Sequence, residues 1–240
     1  MGRPAEHVTI SFFRYTGRSR FWAMRQMAEM QAPLGRVPGV LFHKLLGTGS
    51  GTGYGFLPDL GTYALLIGWA DAASEARFHR EGALHRAFVA RASEIYTLQL
   101  TPVSSHGAWS GVQPFKTVRS SAEGPLVVLT RATIRPSFVP AFWRRVGGVA
   151  RALEAHRENL LFTKGIGELP WVVQATFSVW RSEEAMLRFA YGKEGPHRAA
   201  VERTRKAKGF REELFARFRV RATSGTYNGV DPLHGTVVSS

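Results

Sequence analysis

The residues of this chain best suited to chemistry are two histidines at equivalent places in two similar stretches. His85 and His197 each begin the second part of a long predicted helix. The dipole at a helix N-terminus disfavours the cationic imidazole and keeps the ring neutral. A neutral imidazole can ligate a metal ion or a haem iron. The alternative for either residue is an ordinary surface or packing role.

A glycine-rich run, GTGSGTGYG, occupies residues 47–55. It fits neither the dinucleotide-binding pattern nor the P-loop pattern, and no parallel βαβ unit follows it. We interpret it as a hairpin loop, with a loop over a pocket mouth as the alternative. No serine lies in a nucleophile-elbow motif, and no histidine pair or carboxylate cluster has metal-ligand spacing. The sequence therefore argues against a hydrolase.

The chain is strongly basic, with 32 lysine and arginine residues against 18 acidic ones and a net charge of +14. Such a charge suits nucleic acid, an anionic membrane surface or an acidic ligand. Base-reading motifs are absent from the sequence, so we expect no nucleic-acid partner. The sequence shows neither a bilayer-spanning segment nor a signal-peptide core, so we expect a cytoplasmic protein. The lack of cysteine excludes disulfides and thiolate haem ligands.

The elements that position the two histidines occur twice along the chain. Residues 61–90 and 171–200 share the same order of strand, helix, break and second helical turn, and three sets of residues match: Trp69 with Trp180, Arg77-Phe78 with Arg188-Phe189, and His85-Arg86-Ala87 with His197-Arg198-Ala199. Self-similarity at this spacing indicates an internal repeat. Each half of the chain reads β-α-β-β-α-β, the ferredoxin-like unit.

A single ferredoxin-like sheet leaves one face uncovered, and two copies in one chain can bury those faces together. We therefore predict an α+β fold in which two tandem ferredoxin-like repeats pack sheet to sheet as an intramolecular dimeric α/β barrel. The predicted N-terminal repeat spans residues 8–111 and the C-terminal repeat spans residues 125–233. Residues 112–124, rich in serine, proline and glycine, form the predicted linker.

Short motifs along nearly the whole chain resemble the spheroidene monooxygenase family. They are SFFR at 11–14, GTGYGF at 51–56, GPLVVLTRATI at 124–134, AFW at 141–143, KGIGELP at 164–170, QATFSVW at 174–180, PHRAA at 196–200 and EELFARFRV at 212–220. The resemblance implies an enzyme that oxygenates acyclic carotenoids, with O2 as co-substrate. Some members of that family are haem proteins, and the dimeric α/β-barrel fold also hosts haem in haem-degrading monooxygenases, chlorite dismutases and aldoxime dehydratases.

The resemblance also implies roles for particular residues. By analogy with the fold, His197 is the expected ligand of a non-covalent b-type haem iron, and His85 is the second candidate. Arg131 and Lys164 are the polar groups expected to face a haem propionate or bound oxygen. Because an unpaired buried charge is costly, each of them should have a partner. The expected pocket walls, with core packing as the alternative, are Phe138, Phe142, Trp143, Phe177 and Phe189.

The same resemblance implies several partners. We expect a lipophilic small-molecule substrate, an electron donor such as a ferredoxin, and a homo-oligomer. The basic surface predicts peripheral contact with an anionic membrane at its inner face. Two alternatives stay open at this point: a haem enzyme of another reaction type, such as a dehydratase or peroxidase, and a non-enzymatic barrel that binds haem or an apolar ligand.

Overall fold

The computed structural model describes residues 3–51, 57–119, 124–154, 157–191 and 209–236. The first half of the chain contains four strands and four helices, in the order β1 (His7–Arg14), α1 (Ser19–Glu29), α2 (Gln31–Gly35), β2 (Val40–Gly49), β3 (Pro58–Trp69), α3 (Ala72–Glu81), α4 (Ala83–Val89) and β4 (Glu94–Gly107). The second half follows the same plan, in the order β5 (Leu126–Ile134), α5 (Val139–Glu154), β6 (Leu160–Leu169), β7 (Val173–Trp180), α6 (Glu183–Tyr191) and β8 (Phe210–Gly225).

The eight strands form one closed antiparallel barrel in the order β1-β3-β2-β6-β7-β5-β8-β4. Within this order each half keeps the ferredoxin-like arrangement, with its first and third strands at the centre. Two seams join the halves. At one seam β4 pairs with β8 along most of their length, and at the other β2 pairs with β6 through Gly47 opposite Gly167 and Thr48 opposite Ile166. The predicted α+β barrel is therefore confirmed.

Alternate residues of the strands fill the interior of the barrel, as the two-residue period of a strand requires. Val8, Ile10 and Phe12 of β1 point inward and are fully buried. Phe12 meets Phe162 of the other half edge to face, with ring centroids 5.2 Å apart, and lies 5.7 Å from Phe177. Both halves thus contribute to one hydrophobic core.

Helices cover the outer face of each half of the barrel. In the first half, α3 begins at Asp71, whose carboxylate accepts a hydrogen bond from the backbone N–H of Ser74 at 2.7 Å. Among the described residues, the outer cluster of this half buries hydrophobic side chains that include Phe13, Trp69 and Phe78. In the described part of the chain, no helix combines the length and the apolar character needed to cross a membrane.

The division into repeats and a linker stays a prediction, although its central segment has a clear place in the structure. Phe115 is buried in the barrel core and forms a parallel bridge with Ala5. The backbone N–H of Ala5 donates to Pro114 at 2.8 Å, and that of Lys116 donates to Ala5 at 2.9 Å. The chain between the halves therefore packs along the N-terminal residues.

Candidate functional site

Two related loops cover the two mouths of the barrel. One loop contains Trp109-Ser110-Gly111-Val112 and the other Tyr227-Asn228-Gly229-Val230, and in each the first and fourth residues form a β-bridge. Ser110 and Asn228 have left-handed backbone conformations, with φ of 56° and 57°. Because β1 and β5 run in opposite directions around the barrel, their C-terminal ends and the two loops lie at opposite mouths.

At the Trp109 mouth, a carboxylate ties the loop to the barrel. Glu212 accepts hydrogen bonds from the backbone N–H groups of Ser110 at 3.0 Å and Gly111 at 2.7 Å, and it forms an ion pair with Arg131. Burial opposes ionisation of Glu212, but the backbone hydrogen bonds and Arg131 hold the pKa of its carboxyl below the usual range. Arg131 is only 4% exposed and also lies 3.7 Å from Glu168. Its charge is therefore paired with carboxylates, as its burial requires, although its Nε has no hydrogen-bond partner among the described residues.

At the Tyr227 mouth, Glu94 has the role that Glu212 has at the other. It accepts from the backbone N–H groups of Asn228 at 3.0 Å and Gly229 at 2.6 Å, and from Arg14 at 2.9 Å. Lys164 also lies near this mouth, as its Nζ is 5.9 Å from the centre of the Tyr227 ring.

Lys164 is almost fully buried and is held by polar partners. Its Nζ donates to the carbonyl of Gly51 at 2.9 Å and lies 3.6 Å from the carboxylate of Asp59. Burial lowers the pKa of the Lys164 ammonium, although Asp59 acts in the opposite direction. The structure thus places Arg131 and Lys164 in two separate ion-pair networks. Their contact with a haem propionate or oxygen stays a prediction.

His85 is packed against a second histidine on the outer face of the first half. Its Nε2 lies 3.3 Å from Nδ1 of His79, and its ring contacts Phe13 and Phe78 with centroid distances of 6.5 and 5.5 Å. Burial lowers the pKa of His85. Burial and the neighbouring His85 lower the pKa of His79 to about 4. Both imidazoles are therefore neutral near neutral pH.

This packing bears on the candidate haem ligands. With its Nε2 against His79 and its ring beside Phe13 and Phe78, His85 takes part in packing contacts, and its role as a haem ligand stays a prediction. His197 lies outside the described residues. Among the described residues, no group of three histidine, aspartate or glutamate side chains could hold a metal ion.

An apolar cavity of about 300 Å³ lies outside the barrel, where the two halves meet at the β2–β6 seam. Its walls come from α1, β2, the start of β3, α5 and the turn between β6 and β7. The large apolar and aromatic side chains that line it include Met24, Met27, Leu57, Leu60, Tyr63, Trp143 and Trp171. Trp143 donates from Nε1 to the carbonyl of Trp171 at 3.2 Å, which ties α5 to the β6–β7 turn.

One polar atom in this cavity has unmet hydrogen-bonding capacity. The hydroxyl of Tyr63 is buried and has no hydrogen-bond partner among the described residues. Burial and the nearby Asp59 raise the pKa of the Tyr63 hydroxyl, so it stays protonated and can donate. The cavity therefore has mostly apolar walls, and one of its lining residues carries a buried donor.

Of the five predicted pocket walls, Trp143 lines this cavity. Phe138 and Phe142 of the second half contact Phe210, with centroid distances of 6.5 and 6.2 Å. Phe189 packs on Trp180 at 4.9 Å, and Phe177 points into the barrel core. In the structure, these four phenylalanines pack against other aromatic or core residues. Their role as pocket walls stays a prediction.

Sequence reasoning missed most of the cavity lining. Met24, Met27 and Tyr63 are absent from the candidate site residues that the sequence predicts. One available signal was the exposed side of α1, where Phe21 and Met24 are three residues apart and therefore share a face. The other was Pro170-Trp171, a proline followed by a large aromatic residue in a predicted turn.

No protein-family model matches the chain, but three curated relatives do. The spheroidene monooxygenase of Rhodobacter capsulatus is 36% identical over 235 residues, which cover 96% of this chain and 97% of the relative. That of Cereibacter sphaeroides is 33% identical over 228 residues, covering 94% of this chain and 70% of the relative. That of Rubrivivax gelatinosus is 32% identical over 211 residues, covering 88% and 80%.

Solved structures resemble the fold at lower identity. An aldoxime dehydratase matches with a TM-score of 0.63 and 14% identity, over 100% of this chain and 91% of that one. A second aldoxime dehydratase, bound to butyraldoxime, matches with a TM-score of 0.61 and 11% identity, over 100% and 89%. At these identities the structures show a shared barrel architecture and nothing of the reaction. The curated relatives are far more similar and are matched over most of their length, and they show that this chain belongs to the spheroidene monooxygenase family and is a monooxygenase.

Proposed function

We propose that this monooxygenase uses O2 to oxygenate the end unit of an acyclic carotenoid or a similar long lipophilic molecule. The names of the curated relatives support this substrate class. The observation that carries the proposal in this chain is the apolar cavity between α1 and α5.

The walls of the cavity suit one end of a hydrocarbon chain. Methionine side chains are flexible and polarisable, and aromatic rings supply large rigid surfaces, so Met24, Met27 and Trp143 can enclose an irregular apolar group. Each methylene group removed from water contributes about 0.8 kcal/mol. The carboxylates at the cavity, Asp59 and Glu168, are paired with Lys164 and Lys44. An apolar end unit would therefore not face a free negative charge there.

Tyr63 would distinguish the unmodified end from the oxygenated one. Its hydroxyl has no partner among the described residues, so a hydrocarbon leaves it unsatisfied, whereas a hydroxylated end can accept its hydrogen bond. Satisfying a buried donor contributes about 1 kcal/mol. This contact would hold a hydroxylated first product in place for a second oxygenation.

We also propose that a non-covalent b-type haem serves as cofactor, with His197 as its iron ligand. The resemblance implies both the group and His197 as its ligand, and the contact of His85 with His79 supports the choice of His197 over His85. A bound haem would supply O2 activation, with electrons from a donor such as a ferredoxin. We further propose that the protein is cytoplasmic, that it receives electrons from such a donor and that it assembles as a homo-oligomer.

The substrate proposal is tested by expressing the chain in a bacterial host that accumulates an acyclic carotenoid. We expect carotenoids that gain oxygen atoms, and the heavy isotope should appear in them when the cells grow under labelled O2. An unaltered pigment profile, or oxygen that comes from water, would contradict the proposal. Conversion of an aldoxime to a nitrile by the purified protein would instead favour the dehydratase alternative.

The haem proposal has a separate readout in the absorption spectrum of the purified protein. We expect a Soret band that disappears in His197→Ala and persists in His85→Ala, because His85 is occupied by its contact with His79. If the band persists in both variants, His197 is not the ligand. If no band forms on addition of haem, the chain does not bind that cofactor.

A further inference from the structure

Large apolar side chains are exposed together around the mouth of the cavity. We call this set the apolar rim: Phe21, Met24, Leu57, Leu60, Leu169 and Trp171. Their exposed fractions are high, with Phe21 at 69%, Leu57 at 68% and Leu60 at 57%. Single exposed apolar residues are ordinary on protein surfaces, but a contiguous patch of this kind marks a binding surface.

The cavity brings four of the six rim residues together. Met24, Leu57, Leu60 and Trp171 all line it, so their side chains converge from three separate elements. Phe21 lies one helical turn before Met24 on the same side of α1. Other residues, including Ala23, form the buried side of α1. Packing of the helix against the barrel therefore does not require apolar side chains at Phe21 and Met24.

Trp171 occupies a backbone position that disfavours it. The backbone N–H of Val172 donates to Leu169 at 3.3 Å, and Trp171 has φ of 66° after Pro170. This is the third position of a type II turn, where glycine or asparagine is preferred. A tryptophan that is 39% exposed at such a position is a candidate for a binding role.

Basic residues flank the rim. Arg18 lies at the N-terminus of α1 one turn before Phe21, and Arg144 follows Trp143 on α5; both are exposed. Arg25 is also exposed on α1 beside Met24, but it is paired with Glu29 at 2.7 Å. Arg20 is also exposed, and its Nε contacts the carbonyl of Tyr15 beside Gly61, next to Leu60. Together with the net charge of +14, this arrangement complements an anionic surface.

We propose that the apolar rim inserts into the headgroup region of an anionic lipid bilayer, with the flanking arginines binding the lipid phosphates. Tryptophan and phenylalanine suit the boundary between headgroups and acyl chains, and arginine adds electrostatic attraction to anionic lipids. The mouth of the cavity would then open onto the bilayer. The inference concerns binding to lipid alone, so it stands or fails separately from the identity of the substrate.

The direct test is sedimentation of the full chain with vesicles. We expect the protein to sediment with vesicles of phosphatidylcholine and phosphatidylglycerol, and to stay in solution with vesicles of phosphatidylcholine alone. Added salt should weaken the binding, because exposed charges are screened. Replacing Arg18 or Arg144 with glutamine should lower the partition coefficient about fivefold for each charge removed.

Two rim variants separate membrane binding from folding. Trp171→Gly suits the type II turn better than tryptophan does, and Phe21→Ser changes a side chain that is already 69% exposed, so both should fold. We expect each to lower the partition coefficient about tenfold or more. Val230→Ser is the matched control, since Val230 is 61% exposed but lies in the loop at the Tyr227 mouth.

The outcomes are distinct. Unchanged sedimentation of both rim variants, or an equal loss in Val230→Ser, would overturn the proposal. If sedimentation velocity shows that the unsubstituted chain dimerises and that the rim variants do not, the rim is a self-association surface instead. Unfolding curves of the same variants identify any loss of binding that comes from misfolding.

Discussion

At the scale of single residues, Tyr63 is a cavity-lining side chain with an unsatisfied polar group. Its hydroxyl is buried and has no partner among the described residues. An unsatisfied buried hydroxyl lowers stability, so a ligand that accepts its hydrogen bond is favoured. We propose that the oxygenated substrate is this ligand.

Tyr63→Phe should therefore separate stability from turnover. We expect an unchanged or slightly higher free energy of unfolding, because the change removes an unsatisfied buried hydroxyl. We expect kcat/KM for the hydroxylated intermediate to fall about tenfold, while that for the hydrocarbon changes little. Urea unfolding and product analysis check the two effects. Equal losses for both substrates would argue against the assigned contact.

The His79–His85 pair makes stability depend on pH. The pKa of His79 is lowered to about 4 in the folded chain, against an ordinary value of about 6.5. Between those pH values the unfolded chain binds more protons, so the free energy of unfolding should decrease as the pH falls from about 6.5 to about 4. The loss should reach at most about 3 kcal/mol.

Urea unfolding across this pH range measures the effect. His79→Gln cannot titrate and should flatten the dependence. A full slope in His79→Gln would show that another group is responsible.

At the scale of elements, the two mouth loops are the clearest result of the internal repeat. Each uses a glutamate to bind two successive backbone N–H groups and an arginine. The two mouths nevertheless differ in burial. The side chain of Arg131 is 4% exposed and that of Arg14 is 40% exposed.

This difference predicts unequal effects of two equivalent substitutions. Glu212→Gln leaves Arg131 with Glu168 at 3.7 Å as its remaining acidic partner and should cost about 2–4 kcal/mol. Glu94→Gln leaves Arg14 in contact with solvent and should cost about 1 kcal/mol. Chemical denaturation of the two variants checks the order. Equal losses would show that the backbone contacts dominate over the ion pairs.

Glycine is required where each mouth loop begins. Gly107 has φ of 91° at the end of β4, and a Cβ there would clash with the backbone carbonyl of Glu213. Gly107→Ala should therefore destabilise the barrel by about 2 kcal/mol or more, through both the left-handed conformation and the clash. Gly111→Ala is the control, because Gly111 also has positive φ but no atom within 4 Å of the added carbon. Equal losses in the two variants would assign the effect to backbone conformation alone.

At the scale of the whole molecule, the two halves share one core. The interior face of the first half contacts that of the second through pairs such as Phe12 and Phe162. Separating the halves would expose both interior faces to water. The predicted repeats are thus units of sequence that complete one barrel together.

We therefore expect residues 8–111 expressed alone to lack a cooperative unfolding transition, whereas the full chain should unfold in one. Circular dichroism during urea titration measures both. Binding of a hydrophobic dye to the fragment would report the exposed interior face. A cooperative transition in the isolated fragment would show that the repeats are independent domains.

The sequence by itself determined the architecture of this protein. Trp69 and Trp180, with the helices that follow them, revealed the repeat, and the uncovered sheet of each unit implied the closed barrel. These features depend on local periodicity and on the need to bury an apolar face, and both are visible along the chain. The quoted motifs likewise indicated the family that the curated relatives confirm.

Only the tertiary structure decided which residues meet. Tyr63 and Trp143 are far apart in sequence and line one cavity because the β2–β6 seam brings the two halves together. The same closure gave Arg131 and Lys164 their carboxylate partners, and the path of α3 and α4 placed His79 against His85. Such contacts depend on strand register and helix placement across long separations, which residue types and spacing do not specify.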